Sequence, residues 1–187
     1  MKNAKLLGLL PVMAAALMAF AGSASATITS PTGTVYNGVI HGATTNMTLH
    51  TGVKISCKQQ AFEGQVTNGG TTIPLTAFTF GECGSDTIVT LAKGHLTLAS
   101  DGTVTSTGLE VTKLSHRTVF GFPVTQHCLL DTSNTKLGTL TEGVNPPVLH
   151  FSSASIPHLA TDGACGETTI YTGTYTVTKP TSAIVVD

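Results

Sequence analysis

The sequence TTIYTGTYTVT, residues 168–178, decides the fold class because its residue types alternate with a period of two. Tyr171, Tyr175 and Val177 share one face with Gly173, while threonines occupy the other face. Successive side chains of a β-strand point to opposite faces. The stretch therefore predicts a strand with a buried aromatic face and a threonine face toward water.

The composition extends this prediction to most of the chain. Charged residues make up only 10% of the 187 residues, and threonine supplies 34 of the 161 residues after position 26. Threonine is β-branched, which disfavours helix and suits a pleated surface. Glu, Lys, Gln and Arg, which favour helix, are few and scattered. We expect an all-β protein.

Thirteen short strand-like runs, each bounded by Gly, Pro, Asn or Asp, indicate a β-sandwich or a barrel. We predict an Ig-like or jelly-roll β-sandwich. Pro123 removes a ladder donor, so its run is predicted to be an edge strand, two strands or a bulged strand. The runs are Thr34–His41, Met47–Cys57, Ala61–Val66, Thr72–Phe80, Thr87–Leu91, His95–Ala99, Val104–Thr107, Leu109–Leu114, Thr118–Leu130, Leu137–Thr141, Val148–Phe151, Thr168–Thr178 and Ala183–Val186.

The amino-terminal segment predicts export. Lys2 and Lys5 precede an apolar run over Leu6–Ala21, and small residues end at Ala26. This is the pattern of a secretory signal peptide over residues 1–26. Residues 27–187 are then a single all-β domain, secreted to the medium or the cell surface, in which no second run is long enough for a membrane span.

The charge of this domain is low and slightly negative. Seven Lys and Arg oppose ten Asp and Glu after position 26, which gives a formal charge of −3. Nucleic-acid binding needs clustered cations that displace counterions from phosphates. We therefore expect no nucleic-acid partner.

Four cysteines, Cys57, Cys83, Cys128 and Cys165, all follow the predicted signal peptide. An even number in an exported protein indicates two disulfides. Three connectivities are open. With sequential pairing, each disulfide would contribute roughly 3–4 kcal/mol to the free energy of unfolding by restricting the unfolded chain. A zinc site or a catalytic thiol is the alternative, but no pair has C-x-x-C spacing.

Three stretches resemble small exported four-cysteine β proteins predicted in actinobacterial genomes. They are DGTVTSTGLEVT (101–112), TKLGTLT (135–141) and YTGTYTVTKP (171–180), the last with Tyr171 in place of a tryptophan. The cysteine layout is more distantly similar to exported bacterial activators of alkane oxidation. The resemblance implies a secreted β fold and brings no catalytic residues.

No residue pattern marks an active site. The seven histidines lack H-x-x-x-H or H-E-x-x-H spacing. If distant histidines converge on zinc or copper, His116, His127 and His150 are the first candidates. No G-x-S-x-G sequence marks a nucleophile. We predict no catalytic, cofactor-binding or metal-binding residues.

Two apolar segments have alternative interpretations. Val119–Val124 is read as a core strand plus turn, or as an exposed loop that meets a lipid, a hydrocarbon or another subunit. Ala183–Val186 either completes its own sheet or extends into a neighbouring molecule.

The leading functional expectation is a non-enzymatic structural or adhesive module of the cell surface or medium, in contact with copies of itself or with cell-envelope components. A binding module for an apolar or carbohydrate ligand is the second hypothesis, weakened for sugars by the absence of tryptophan. A small secreted hydrolase is the third.

Overall fold

A computed structural model describes residues 26–44, 47–51, 53–161, 165 and 167–187. The predicted signal peptide lies outside these residues except for Ala26. The described residues form thirteen strands: β1 (Ile28–Thr29), β2 (Gly38–Thr44), β3 (Met47–Thr51), β4 (Val53–Cys57), β5 (Gln59–Val66), β6 (Thr72–Gly81), β7 (Thr87–Leu98), β8 (Thr103–Val119), β9 (Phe122–Asp131), β10 (Thr135–Thr141), β11 (Val148–Thr161), β12 (Thr168–Lys179) and β13 (Val185–Val186).

The expectation of an all-β protein is confirmed, but the predicted Ig-like or jelly-roll sandwich is wrong because the main sheet closes on itself. Its closed part runs in the order β8-β7-β6-β5-β2-β12-β11-β10, and β10 then pairs antiparallel with β8. These eight strands form a barrel. β9 pairs with the distal parts of β8 and β11, and the β3–β4 hairpin extends from β12. In the part of the chain described above, no helix is long and apolar enough to cross a membrane.

The glycines of β7 and β8 explain why these two strands are longer than predicted. The sequence suggested breaks near Gly94 and Gly108, whereas both strands continue through these positions. The two glycines face each other with positive φ angles of 57° and 68°. A Cβ at Gly94 would overlap the carbonyl oxygen of Thr107. Here glycine allows two long strands to bend together, which curls the sheet toward closure.

The barrel interior is the hydrophobic core. The alternation predicted for residues 168–178 is confirmed: Tyr171, Gly173, Tyr175 and Val177 are buried and the threonines between them are exposed. The ring of Tyr175 packs between Phe62 and Phe151, with centroid distances of 5.6 and 4.9 Å. One strand therefore presents an aromatic face inward and a hydroxyl face outward.

The carboxyl-terminal strand completes its own molecule. β13 pairs antiparallel with β1, and Ile184 and Val186 are buried. The Thr29 hydroxyl also donates a hydrogen bond to the Asp187 carboxylate at 2.9 Å. Of the two interpretations of Ala183–Val186, the structure therefore supports pairing within the chain.

The predicted disulfides are present and pair in sequential order. Cys57 at the end of β4 is bonded to Cys83 in the β6–β7 loop, and Cys128 in β9 is bonded to Cys165 before β12. Both bridges join segments that are not neighbours along the chain. Disulfides are consistent with a protein of an oxidising compartment.

Candidate binding groove

An open groove crosses the outside of the barrel over four adjacent strands, β12, β2, β5 and β6. Its volume is about 820 Å³, which lies within the roughly 300–1,000 Å³ of ordinary ligand sites. The lining residues are Ala43, Thr44, Gln59, Gln60, Ala61, Thr79, Phe80, Gly81, Thr174, Thr176 and Thr178.

The strand register explains why the surface is hollow here. Thr176 is paired with Ala43, Ala43 with Ala61, and Ala61 with Thr79. Two small side chains therefore lie between two threonines in one row across the sheet. At about 4.8 Å per strand spacing this row is roughly 14 Å long. The alanines form the floor, and hydroxyl groups stand at both ends.

The threonines of β12 line one side of the groove in a regular series. The hydroxyl of Thr178 is 2.6 Å from Nδ1 of His41, and that of Thr174 is 3.4 Å from Nδ1 of His150. Thr176 lies between them on the same exposed face. Two of the three hydroxyls thus have histidine neighbours that restrict their orientation.

The described lining residues carry hydroxyl, amide and apolar groups but no charge. Glu82 lies just outside and accepts a 2.6 Å hydrogen bond from the Gln59 amide. Phe80 is the aromatic member of the lining and is half-buried. Hydroxyl and amide groups can both donate and accept hydrogen bonds. The groove therefore suits a neutral ligand that has many hydroxyl groups.

The barrel interior offers much less space than the groove. Two apolar cavities among its described residues measure about 20 and 10 Å³, and a single water molecule already needs about 10–15 Å³. The side chains fill the interior, so the structure gives no support to the hypothesis of an apolar ligand held inside the barrel.

A polar cluster interrupts this core. The hydroxyls of Tyr171 and Tyr175 contact each other, and both donate to Oε1 of Gln60. Burial raises the pKa of Tyr171 well above its ordinary value, against an opposing effect of the Gln60 hydrogen bond. Burial also raises the pKa of Tyr36, whose hydroxyl donates to the carbonyl oxygen of Val39. Both phenols are neutral near pH 7.

The candidate metal ligands His116, His127 and His150 lie on β8, β9 and β11. His116 contacts the hydroxyl of Thr125, and His150 contacts that of Thr174. Among the described residues no group of three His, Cys, Asp or Glu side chains is arranged to hold a metal ion. Neither the His116–Thr125 contact nor the His150–Thr174 contact includes a carboxylate, which a hydrolase triad requires beside its histidine.

The segment Val119–Val124 forms the end of the β8–β9 hairpin. The prediction of strand plus turn is correct, and Pro123 stands in the second strand opposite Thr118. The interpretation as core is wrong: Phe120 is 97% exposed and Phe122 is 73% exposed. This segment is a second candidate surface, separate from the groove.

No protein-family model matches the chain, and neither a curated protein nor a solved structure shows significant similarity to it. The likeness to small exported four-cysteine proteins therefore stays a prediction. The function is therefore inferred from the geometry of the groove and of the β8–β9 hairpin.

The sequence alone did not predict the groove. Its floor combines Ala43 and Ala61 from two strands with Thr79 and Thr176 from two others, and their pairing depends on barrel closure. The signal that the sequence does offer is the threonine face of residues 172–178, which is predicted to point toward water.

Proposed function

We propose that this protein is exported and acts without catalysis as an adhesive module that binds neutral polysaccharide of the cell surface or medium. The groove on β12, β2, β5 and β6 supports the proposal most strongly, because its size fits a ligand and its described lining is uncharged. Export is supported by the predicted signal peptide and is consistent with two disulfides.

The chemistry of the lining favours polysaccharide over other ligands. A sugar polymer presents hydroxyl groups along its length, and the row from Thr176 to Thr79 presents hydroxyls at both ends of an apolar floor. Hydrogen bonds of this neutral kind contribute only about 0.5–1.5 kcal/mol each. We therefore expect weak binding per site, which repeated attachment along a polymer would strengthen.

The first test is co-sedimentation of the oxidised protein with insoluble cellulose, chitin and purified bacterial cell walls. We expect binding to at least one of them. Thr176→Val keeps the shape of the side chain but removes its hydroxyl, and should weaken that binding about three- to tenfold. Ala61→Tyr fills the floor of the groove and should abolish it.

The matched control is Thr139→Val, which makes the same change on an exposed position of β10 outside the groove. Its binding should equal that of the unmodified protein. Absence of binding to all three polymers, or equal binding by the Thr176 and Thr139 variants, would contradict the proposal.

A further inference from the structure

The distal part of the β8–β9 hairpin projects from the barrel as a two-stranded ribbon. Leu114 is the last residue of β8 paired with β7, and Cys128 is the first residue of β9 paired with β11. Beyond them, residues 115–119 pair only with residues 122–126. Five residues at about 3.3 Å each carry the turn roughly 17 Å beyond the neighbouring strands.

The end of this ribbon is apolar and exposed. Phe120 is 97% exposed, Phe122 73%, Val119 45% and Val124 44%. The other Phe and Tyr side chains of the described residues lie in the barrel core or against it. Contiguous apolar groups on a projecting turn mark a contact surface more often than a lone exposed residue does.

The turn has a phenylalanine at a position with a positive φ, where glycine or asparagine is usual. Phe120 and Gly121 have φ angles of 50° and 84°, a combination found in type I′ turns. Asn68 and Gly69 have the same signs, at 53° and 68°, and Asn-Gly is the sequence such turns prefer. A phenylalanine at this position strains the backbone, and strained residues cluster where a function retains them.

The ribbon is also free of negative charge. Between Val111 and Leu130 the sequence contains Lys113 and Arg117 but no Asp or Glu, whereas residues 27–187 as a whole carry −3. Lys113 is buried in the barrel, and Arg117 stands in the ribbon opposite Val124. A cationic residue therefore precedes the apolar tip along β8.

The area of the tip argues against a second copy of the protein as its partner. Two exposed phenylalanines and two half-exposed valines supply roughly 400–500 Å². A stable protein–protein interface takes about 800 Å² from each partner. A narrow, convex, aromatic tip with a basic residue behind it matches instead the boundary between lipid headgroups and acyl chains.

We propose that the tip of the β8–β9 ribbon, Val119–Val124, inserts into the surface of an anionic lipid bilayer. Phe120 and Phe122 enter the apolar boundary, and the cationic residue Arg117 precedes the tip by two positions in β8. The protein would then have two attachment surfaces on different strands, one for polysaccharide and one for lipid. The lipid surface does not depend on the groove.

The test is sedimentation of the oxidised protein with vesicles of equimolar phosphatidylcholine and phosphatidylglycerol, and with vesicles of phosphatidylcholine alone. We expect binding to the mixed vesicles that weakens as salt is added, and weaker binding to the neutral ones. The double variant Phe120→Asn with Phe122→Thr should reduce partitioning at least about tenfold.

These two substitutions keep the fold intact, since Asn suits the turn and Thr suits an exposed strand position. A urea midpoint at least as high as that of the unmodified protein confirms that the variant is folded. The control Leu159→Thr removes an exposed apolar group from β11 and should bind as the unmodified protein does.

Four outcomes would overturn the proposal: no vesicle binding, equal binding by the double variant, equal binding to neutral and anionic vesicles, or dimers in light scattering that disappear in the double variant. The last would identify a second copy as the partner of the tip.

Discussion

At the scale of single residues, the buried Tyr171 makes the free energy of unfolding depend on pH. Its phenol is buried beside Tyr175 and Gln60, and burial raises its pKa well above the ordinary value. In the unfolded chain it ionises near pH 10, while in the folded protein it keeps its proton. Above pH 10 the unfolded state thus binds fewer protons, so the free energy of unfolding falls as pH rises.

We predict that Tyr171→Phe makes the free energy of unfolding less sensitive to pH above about 10, where each such group contributes a slope of up to about 1.4 kcal/mol per pH unit. Urea unfolding at a series of alkaline pH values measures this slope. Tyr36→Phe is the comparison, because Tyr36 is less buried and should change the slope less. A slope that Tyr171→Phe leaves unaltered would contradict the prediction.

At the scale of elements, the backbone conformation of the β8–β9 turn lowers the free energy of unfolding by a measurable amount. A non-glycine residue in the left-handed region is unfavourable by about 1–2 kcal/mol, and asparagine tolerates that region better. Phe120 is almost wholly exposed, so its removal loses little packing.

We predict that Phe120→Asn alone raises the free energy of unfolding by about 1 kcal/mol. Thermal and urea unfolding would measure the gain. Phe122→Thr, an exposed change within the strand, should stay within about 0.5 kcal/mol of the unmodified protein. A loss of stability in Phe120→Asn would show that the ring is packed.

The strands themselves could be predicted wherever side chains alternate between core and water. Residues 168–178 did so without interruption, and the structure confirms their two faces. β7 and β8 were each predicted as two pieces because glycine usually ends a strand, whereas Gly94 and Gly108 only bend these two. β11 was predicted too short, because it continues past Ser153, which has a positive φ, and through Pro157.

At the scale of the whole molecule, closure depends on the seam where β10 joins both β8 and β11. Gly138 lies there, buried, opposite Val104 of β8. A Cβ at this position would overlap the backbone carbonyl oxygen of His150 in β11. The backbone would have to move apart where β10 joins β8 to β11.

Gly138→Ala should therefore lower the free energy of unfolding by about 3 kcal/mol, measured by urea unfolding of the oxidised protein. Gly81→Ala at the end of β6 is the matched control, because a Cβ there meets the Gln59 side chain only at an ordinary 3.4 Å. Equal stability of the two variants would mean that the seam tolerates displacement.

The choice between sandwich and barrel could not be made from the sequence, because both bury alternate residues of every strand. Closure depends on which strands meet, and β12 meets β2 across more than 130 residues of chain. The groove has the same origin, since Ala43 and Ala61 become its floor only when that pairing places Thr176 beside them. The sequence predicts the hydroxyl face of β12, but it does not predict which strands lie beside that face.

The order of the strands also has a consequence for synthesis. β12 bonds to β2, β3 and β11 and follows the other barrel strands in the chain, so the ring closes only after all of them have left the ribosome or a translocation pore. Until then β2 has one edge without its final neighbour, and such edges are prone to pair with other chains. A fold dominated by distant pairings also forms slowly. The nascent chain must therefore be kept apart from its copies for longer than a helical protein of equal length.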